Sequence, residues 1–221
     1  MHKLEKYDWG TVPYALAFEQ QKKLFEQSIQ AKSRGEKTDN ILVVCEHPHV
    51  VTIGKNGAIS NLLFSEDYLK QQGVQLFHVD RGGDITYHGP GQLVGYPILD
   101  LETYRLGLKA YIARLETIII RLLALYGISG KIVEDAPGVW IDSDDPQKIR
   151  KICAIGIRSS RYVTMHGYAL NINTNLDYFR LINPCGFKDR GVTSMQNELG
   201  RPVEINTVKR QLFCLFDEVF Q

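Results

Sequence analysis

The hydrophobic pattern of the chain predicts three long helices, of which two lie near its ends and the clearest lies in its middle. After Pro13, apolar residues recur every three or four positions as far as Ile29, which indicates a helix with one buried face. Residues 206–220 repeat this pattern. A third helix is predicted over residues 108–126, followed by Gly127, a residue type that commonly terminates helices. The remaining predicted elements lie between these three helices.

Short strands are predicted between the helices. They cover residues 40–45, 50–53, 76–79, 93–99, 131–133, 138–141, 151–158 and 162–172, with short helices at 66–71 and 176–181. This order predicts an α+β fold in which a mixed, mainly antiparallel sheet is flanked by helices. Neither a repeat nor a Pro-rich or Gly/Ser-rich linker divides the sequence, so residues 1–221 are predicted to form a single domain.

The composition of the chain argues against two classes of binding partner, nucleic acids and membranes. Of the 221 residues, 44% are hydrophobic and 23% charged, as is usual for folded globular proteins. The formal net charge is only +1, so we expect neither nucleic acid nor a membrane as a partner. The N-terminal residues lack the apolar segment of a secretory signal, and the apolar runs are too short to span a bilayer. These features predict a cytoplasmic protein.

A glycine-dense segment, RGGDITYHGPGQ at residues 81–92, is the most distinctive local feature. Its glycines let the backbone approach a ligand closely or adopt positive φ. Arg81 is suited to binding an anion or a carbonyl group, and His88 to donating a hydrogen bond or moving a proton. The segment matches neither the Walker A nor the dinucleotide-binding pattern. A purely structural hairpin remains the alternative interpretation.

The histidines do not predict a metal site. His47 and His49 form an HxH pair, but Pro48 between them favours a turn over a ligand-bearing strand. The other histidines show no recognised ligand spacing, so we expect no catalytic metal.

Cysteine is the most reactive side chain available, and its sequence contexts differ. Cys45 and Cys214 lie in apolar segments typical of core positions. Cys153 shares a face with Lys151 if the strand over 151–158 is regular, although packing is the favoured role for this thiol. Cys185 stands between Pro184 and Gly186 in a predicted turn, where a nucleophile and an ordinary surface cysteine are equally compatible with the residues.

A reactive thiol needs a base or a nearby cation, and Lys151 is the candidate. It begins an apolar strand directly after Arg150. Apolar surroundings and a neighbouring cation lower the pKa of a lysine and equip it to exchange protons. From the residues alone, an exposed lysine at the edge of a sheet remains the more common alternative.

Four blocks of sequence resemble the octanoyltransferase family of lipoate biosynthesis, the lipoyl(octanoyl) transferases. They are EHPHV with TIG at 46–54, RGGDITYHGPGQLVGYPI at 81–98, RKICAIGIR at 150–158 with HGYALN at 166–171, and NPCG at 183–186 with VTS at 192–194. The resemblance implies a fold like that of biotin and lipoate protein ligases. It also implies transfer of an octanoyl group, without ATP, as the first step of protein lipoylation.

The resemblance further implies the partners and the route of the reaction. The donor would be octanoyl-acyl carrier protein, and the acceptor a lysine of lipoyl domains in 2-oxoacid dehydrogenase E2 subunits or of the glycine cleavage H protein. No cofactor is expected, since the donor carries its own phosphopantetheine. Two alternatives remain: an ATP-dependent lipoate or biotin ligase with the same fold, and a non-enzymatic binding module.

Residue roles follow from the same resemblance. Cys185 would be the acyl-thioester nucleophile, Lys151 the residue that lowers its pKa, and His88 a third catalytic residue that stabilises the oxyanion together with backbone N–H groups. The implied substrate-contact residues are Arg81, Gly82, Gly83, Asp84, Ile85, Thr86, Tyr87, His88, Ala154, Ile155, Gly156, Gly167, Tyr168 and Ala169.

Overall fold

The structure is a computed structural model that describes residues 4–183 and 191–220. Helices and strands follow one another in mixed order within these ranges. They are β1 (Leu4–Thr11), α1 (Tyr14–Ser33), β2 (Asn40–Glu46), β3 (Val50–Ile53), α2 (Glu66–Gln71), β4 (Gln75–His78), β5 (Ile85–His88), β6 (Gln92–Ile98), α3 (Leu108–Ala124), β7 (Lys131–Ile132), β8 (Gly138–Ile141), β9 (Arg150–Ser160), β10 (Val163–Asn171), β11 (Gly191–Val192), α4 (Met195–Leu199) and α5 (Ile205–Val219).

The strands of the described ranges form a large sheet and a small one. The large sheet has the order β1-β2-β6-β10-β9-β8-β7, and β11 pairs with β9. Its strands are antiparallel except at the β1–β2 and β9–β11 pairs, which are parallel. The small sheet has the order β4-β3-β5 and also mixes both directions. The predicted α+β fold with a mixed, mainly antiparallel sheet is therefore confirmed.

Each face of the large sheet has its own apolar cover. On one face α3 and α5 pack against the sheet, with Leu115 and Phe216 buried against Leu93 and Leu170. On the opposite face α1 covers strands β2, β6 and β10 through residues such as Phe25. Burial on both faces makes the central strands almost continuously apolar, which is why the sequence reveals them. None of the helices in residues 4–183 and 191–220 combines the length and apolar character that crossing a membrane requires.

Some elements differ from the prediction because tertiary contacts create them. Strand β1 was not predicted, since LEKYDWGT lacks a clear apolar alternation. It pairs with β2, and the ammonium group of Lys209 on α5 lies 2.9 Å from the carboxylate of Asp8. Strand β5 lies inside the segment that was predicted as a loop, and β11 was also missed. Residues Leu176–Leu181 form a 3₁₀ helix.

Gly95 provides a test of packing at the centre of the large sheet. It lies opposite Tyr168 in the β6–β10 pair, and a Cβ atom at this position would overlap the Tyr168 ring. We expect Gly95→Ala to lower the free energy of unfolding in urea by about 1–3 kcal/mol, the usual cost of overpacking a core. Gly107→Ala, where a Cβ meets nothing within 4 Å, should cost less than about 1 kcal/mol. Equal effects would contradict this account.

Candidate active site

A cavity of about 110 Å³ lies between the large sheet, the small sheet and α1. Thirteen of the residues singled out from the sequence line it: Arg81, Gly83, Asp84, Ile85, Thr86, His88, Lys151, Ala154, Ile155, Gly156, Gly167, Tyr168 and Ala169. Gly82 and Tyr87 do not line the cavity, and Cys185 lies outside the described residues. These thirteen residues therefore meet at one cavity, although they come from three separate strands and a loop.

The glycine-rich loop forms one wall because its backbone docks directly on β9. The N–H of Gly82 donates to the carbonyl of Ile157 at 2.9 Å. Across this junction, a Cβ on Gly156 would lie 2.8 Å from the carbonyl oxygen of Gly82. Glycine is required at Gly156 because of this close approach rather than because of its dihedral angles.

Arg81 is buried and forms hydrogen bonds with the small sheet. Its Nη2 atom donates to the carbonyl and hydroxyl oxygens of Thr52 on β3, at 2.8 and 2.9 Å, and its Nη1 donates to the carbonyl of Gly82 at 3.1 Å. These bonds fix the guanidinium at the cavity wall. Arg81 therefore holds the loop in shape as well as placing positive charge beside the cavity.

The side chain of Tyr87 faces away from the cavity. Its ring packs with Tyr178 and Phe179 in a separate apolar cluster, and its hydroxyl lies 2.8 Å from Nδ1 of His49. The neighbouring residues Thr86 and His88 line the cavity.

Lys151 reaches the cavity because β9 contains a β-bulge. Val139 of β8 pairs with Cys153 while Trp140 pairs with Lys151, so Ile152 is an extra residue on β9. Ile152 and Cys153 consequently both belong to the core beneath α3 and α5, whereas Lys151, Ala154 and Gly156 line the cavity. The expectation that Cys153 shares a face with Lys151 is wrong, since a regular strand was assumed.

The ammonium group of Lys151 lies against aromatic and carbonyl groups of the β8 region. Its Nζ is 4.4 Å from the centroid of the Trp140 ring and donates to the carbonyl of Pro137 at 3.4 Å. A cation over an indole ring is stabilised by the ring quadrupole. The adjacent Trp140 Nε1 donates to the carbonyl of Ala136 at 3.0 Å, which fixes the indole.

The three cysteines of the described residues differ in accessibility. Cys45 and Cys153 are fully buried, and burial raises the pKa of both thiols, so neither is suited to nucleophilic attack. Cys214 is exposed, which contradicts its predicted core position. It follows Phe213 and precedes Leu215 on α5, and the helix turns this one residue of the apolar segment toward solvent.

His88 is held in the cavity wall by a polar chain. Its Nδ1 lies 2.7 Å from Oε1 of Gln92, and its ring stacks on Tyr14 with centroids 6.0 Å apart. Burial, reinforced by the positive charge that His47 would carry, lowers the pKa of His88 to about 3. The imidazole is therefore neutral throughout the physiological pH range.

His166 is a cavity residue that the sequence did not single out for contact with substrate. Its φ of +63° is unusual for a histidine within a strand, and its Nε2 lies 3.0 Å from Oδ1 of Asp80. Asp80 also pairs with Arg158 on β9. Tyr14, Gln92, Trp140 and Asn171 line the cavity as well. Gln92 and Asn171 lie within two of the sequence blocks that carry the family resemblance, which was the available signal.

Comparison with known proteins shows the family to which the chain belongs. The model of the lipoyl protein ligase A/B catalytic domain matches residues 13–217. The chain belongs to this family. An octanoyltransferase of Parabacteroides distasonis is 55% identical over 100% of both chains. Another, from Bacteroides thetaiotaomicron, is 54% identical over 94% of this chain and 91% of its own. Identity at this level over nearly the whole length makes this member of the family an octanoyltransferase, so the resemblance seen in the sequence is confirmed.

Solved structures agree on the fold of this family member. An archaeal bipartite lipoate protein ligase from Thermoplasma acidophilum superposes with a TM-score of 0.73, covering 99% of this chain and 84% of its own. The sequences are only 17% identical, so the likeness shows the lipoate protein ligase fold alone.

Two buried, neutral histidines make the free energy of unfolding of this protein depend on pH. Burial lowers the pKa of His47 to about 4 and that of His88 to about 3, both from 6.5. The unfolded chain therefore binds protons first, and stability that is fully present above pH 6.5 is lost as the pH falls toward 4. Each histidine contributes a slope of up to about 1.4 kcal/mol per pH unit.

Urea unfolding at pH 7.5, 6.5, 5.5 and 4.5 measures this slope. We expect His88→Gln to flatten it, whereas His78→Gln, at an exposed position of β4, should leave it unchanged. A slope in the His88 variant equal to that of the wild type would contradict the assignment.

Proposed function

We propose that this octanoyltransferase takes its acyl group from octanoyl-acyl carrier protein and passes it to a lysine of lipoyl domains or of the glycine cleavage H protein. The acyl group would travel as a thioester on Cys185, with Lys151 as the partner that exchanges protons. The observation that carries this proposal is the position of Lys151. The bulge in β9 directs its side chain into the cavity, close to strand β11, which follows Cys185 in the sequence.

The chain on both sides of residues 184–190 is tied to the cavity, which supports Cys185 as the nucleophile. On one side, the N–H of Asn183 donates to the carbonyl of Asn61 at 2.7 Å, and the Asn61 amide donates to Asp84 at 2.6 Å. On the other side, β11 pairs with β9 at Arg150 and Lys151. Cys185 precedes β11 by six residues, a length of chain that spans at most about 20 Å.

The reaction would proceed in two acyl-transfer steps. The Cys185 thiolate attacks the thioester carbonyl of the donor, a new C–S bond forms, and the phosphopantetheine thiol leaves with the proton that Lys151 delivers. The amine of the acceptor lysine then attacks the acyl-enzyme. A C–N bond forms, the C–S bond breaks, and the proton lost by nitrogen passes to Lys151. An amide is more stable than a thioester, so ATP is not required.

The cavity floor suits an unbranched acyl tail. Its strand residues Ala154, Gly156, Gly167 and Ala169 are small, and Val94 adds apolar surface. Each buried CH₂ group contributes about 0.8 kcal/mol, so recognition of chain length would be graded until the tail meets the end of the cavity.

The proposal of a lipoyl domain as the acceptor is based on a structural relative. The archaeal ligase was solved as part of a lipoylation system together with its E2 lipoyl domain. A shared fold makes the same kind of acceptor reasonable here. The rival function is an ATP-dependent ligase, and the names of the relatives at 54–55% identity favour the transferase over it.

The acyl-enzyme provides the decisive test. Octanoyl-acyl carrier protein without ATP should raise the intact mass of the wild type by one octanoyl group, and Cys185→Ala should abolish both the adduct and the transfer. Cys214→Ser removes an exposed thiol and serves as the control, with both activities retained. An adduct that requires ATP, or transfer by the Cys185 variant, would refute the thioester route.

Lys151 can be tested separately. Lys151→Met removes the proton exchange and should slow both half-reactions by about 100-fold or more, the usual contribution of a positioned acid or base. Lys148→Met, at an exposed lysine nearby, is the matched control. Circular dichroism should show that both variants are folded. Unchanged rates in the folded Lys151 variant would remove this residue from the mechanism.

Ala169 tests the position of the acyl tail. Ala169→Leu places three further carbons on the cavity floor, so we expect kcat/KM for the octanoyl donor to fall more than that for a butanoyl donor, by about tenfold or more. Ala124→Leu, on the exposed side of α3, should change neither value. An equal effect on both donors would place the tail elsewhere.

A further inference from the structure

Two buried side-chain amides connect His88 to the backbone carbonyl of Thr193, the residue that follows β11. Nδ2 of Asn171 donates to the carbonyl oxygen of Thr193 at 2.9 Å. Oδ1 of the same amide accepts from Nε2 of Gln92 at 2.8 Å, and Oε1 of Gln92 lies 2.7 Å from Nδ1 of His88. His88, Gln92, Asn171 and Thr193 are all buried. Water therefore does not compete for these bonds.

Backbone carbonyl groups, which can only accept hydrogen bonds, determine how both side-chain amides are oriented. A backbone carbonyl can only accept, so the Asn171 amide must turn its NH₂ group toward Thr193 and its oxygen toward Gln92. The Gln92 amide must then turn its NH₂ group toward Asn171, and this group also donates to the carbonyl of Tyr87 at 3.2 Å. The Gln92 oxygen consequently faces His88 and needs a donor.

The ring of His88 is therefore a neutral imidazole protonated at Nδ1. Its Nε2 then carries a lone pair and has no hydrogen-bond partner among residues 4–183 and 191–220. The positive charges of Arg81 and of protonated His47 or His166 would also oppose a cationic ring. A nitrogen with a lone pair accepts hydrogen bonds, so His88 is poorly suited to donating to the oxyanion, which was its expected role.

We propose that Gln92 and Asn171 are positioning residues that present Nε2 of His88 to the cavity as a hydrogen-bond acceptor for the attacking amine of the acceptor lysine. This inference rests on the proposed function. The N–H···Nε2 bond would orient the nitrogen lone pair toward the thioester carbonyl of the acyl-enzyme. His88 takes no proton in this step, because the nitrogen loses its proton to Lys151 when the C–N bond forms and the C–S bond breaks.

The tautomer can be measured in the free enzyme. Two-bond ¹H–¹⁵N spectra of protein labelled with ¹⁵N-histidine distinguish the two neutral tautomers at pH 7, and His88→Gln identifies the signals. We expect His88 to be protonated at Nδ1 alone. A ring protonated at Nε2, or a charged ring, would overturn the proposal whatever reaction the enzyme catalyses.

Variants of Gln92 connect the tautomer to the reaction. Gln92→Met cannot accept from Nδ1, so both tautomers should appear. Transfer from isolated acyl-enzyme to a lipoyl domain should slow by about tenfold, as expected for one lost hydrogen bond. Acylation of the enzyme by octanoyl-acyl carrier protein should change by less than about twofold, since no amine takes part.

A control variant keeps this test specific. Gln75→Met, at an exposed position of β4, should match the wild type. Equal slowing of both half-reactions in Gln92→Met, or slowing without a change of tautomer, would overturn the positioning role. Failure of the wild type to form any acyl-enzyme would refute the proposed function and, with it, the role of His88 toward the amine, but not the measured tautomer.

Discussion

The close backbone contact between the glycine-rich loop and β9 is the constraint on which the cavity depends. The hydrogen bond from Gly82 to Ile157 joins the small sheet to the large one, and the missing side chain of Gly156 lets the two backbones approach. A larger residue at Gly156 would separate the walls. The junction between these two walls of the cavity is therefore a main-chain contact.

Polar groups buried around this cavity are organised by neighbouring backbone rather than by solvent. Arg81 donates to Thr52 and Gly82, and the two amides behind His88 end on the carbonyl of Thr193. A buried polar group that lacks a partner is costly, so complete chains of this kind hold one arrangement strongly. The consequence is a rigid wall with a defined pattern of donors and acceptors before any substrate arrives.

Local sequence signals located most of the elements and the region of the site. The apolar period of 3.6 identified α1, α3 and α5, and the apolar runs identified the central strands, because both reflect burial that the chain itself encodes. β1 has a mostly polar sequence, and it forms a strand by pairing with β2, while the contact between Asp8 and Lys209 connects it to α5. Such an edge strand has no strong local signal.

The residues and motifs of the chain revealed its fold class and its family, and they identified the glycine-rich loop and the strand that contains Lys151 as parts of the site. Contacts between distant parts of the chain set the direction in which individual side chains point. Ile152 is an extra residue in the pairing of β9 with β8, and this bulge places Lys151 and Cys153 on opposite faces, whereas a regular strand would place them on the same face. The proton on His88 is likewise placed by a carbonyl more than a hundred residues away in the sequence. Periodicity describes one strand at a time, whereas these two features arise from contacts between strands.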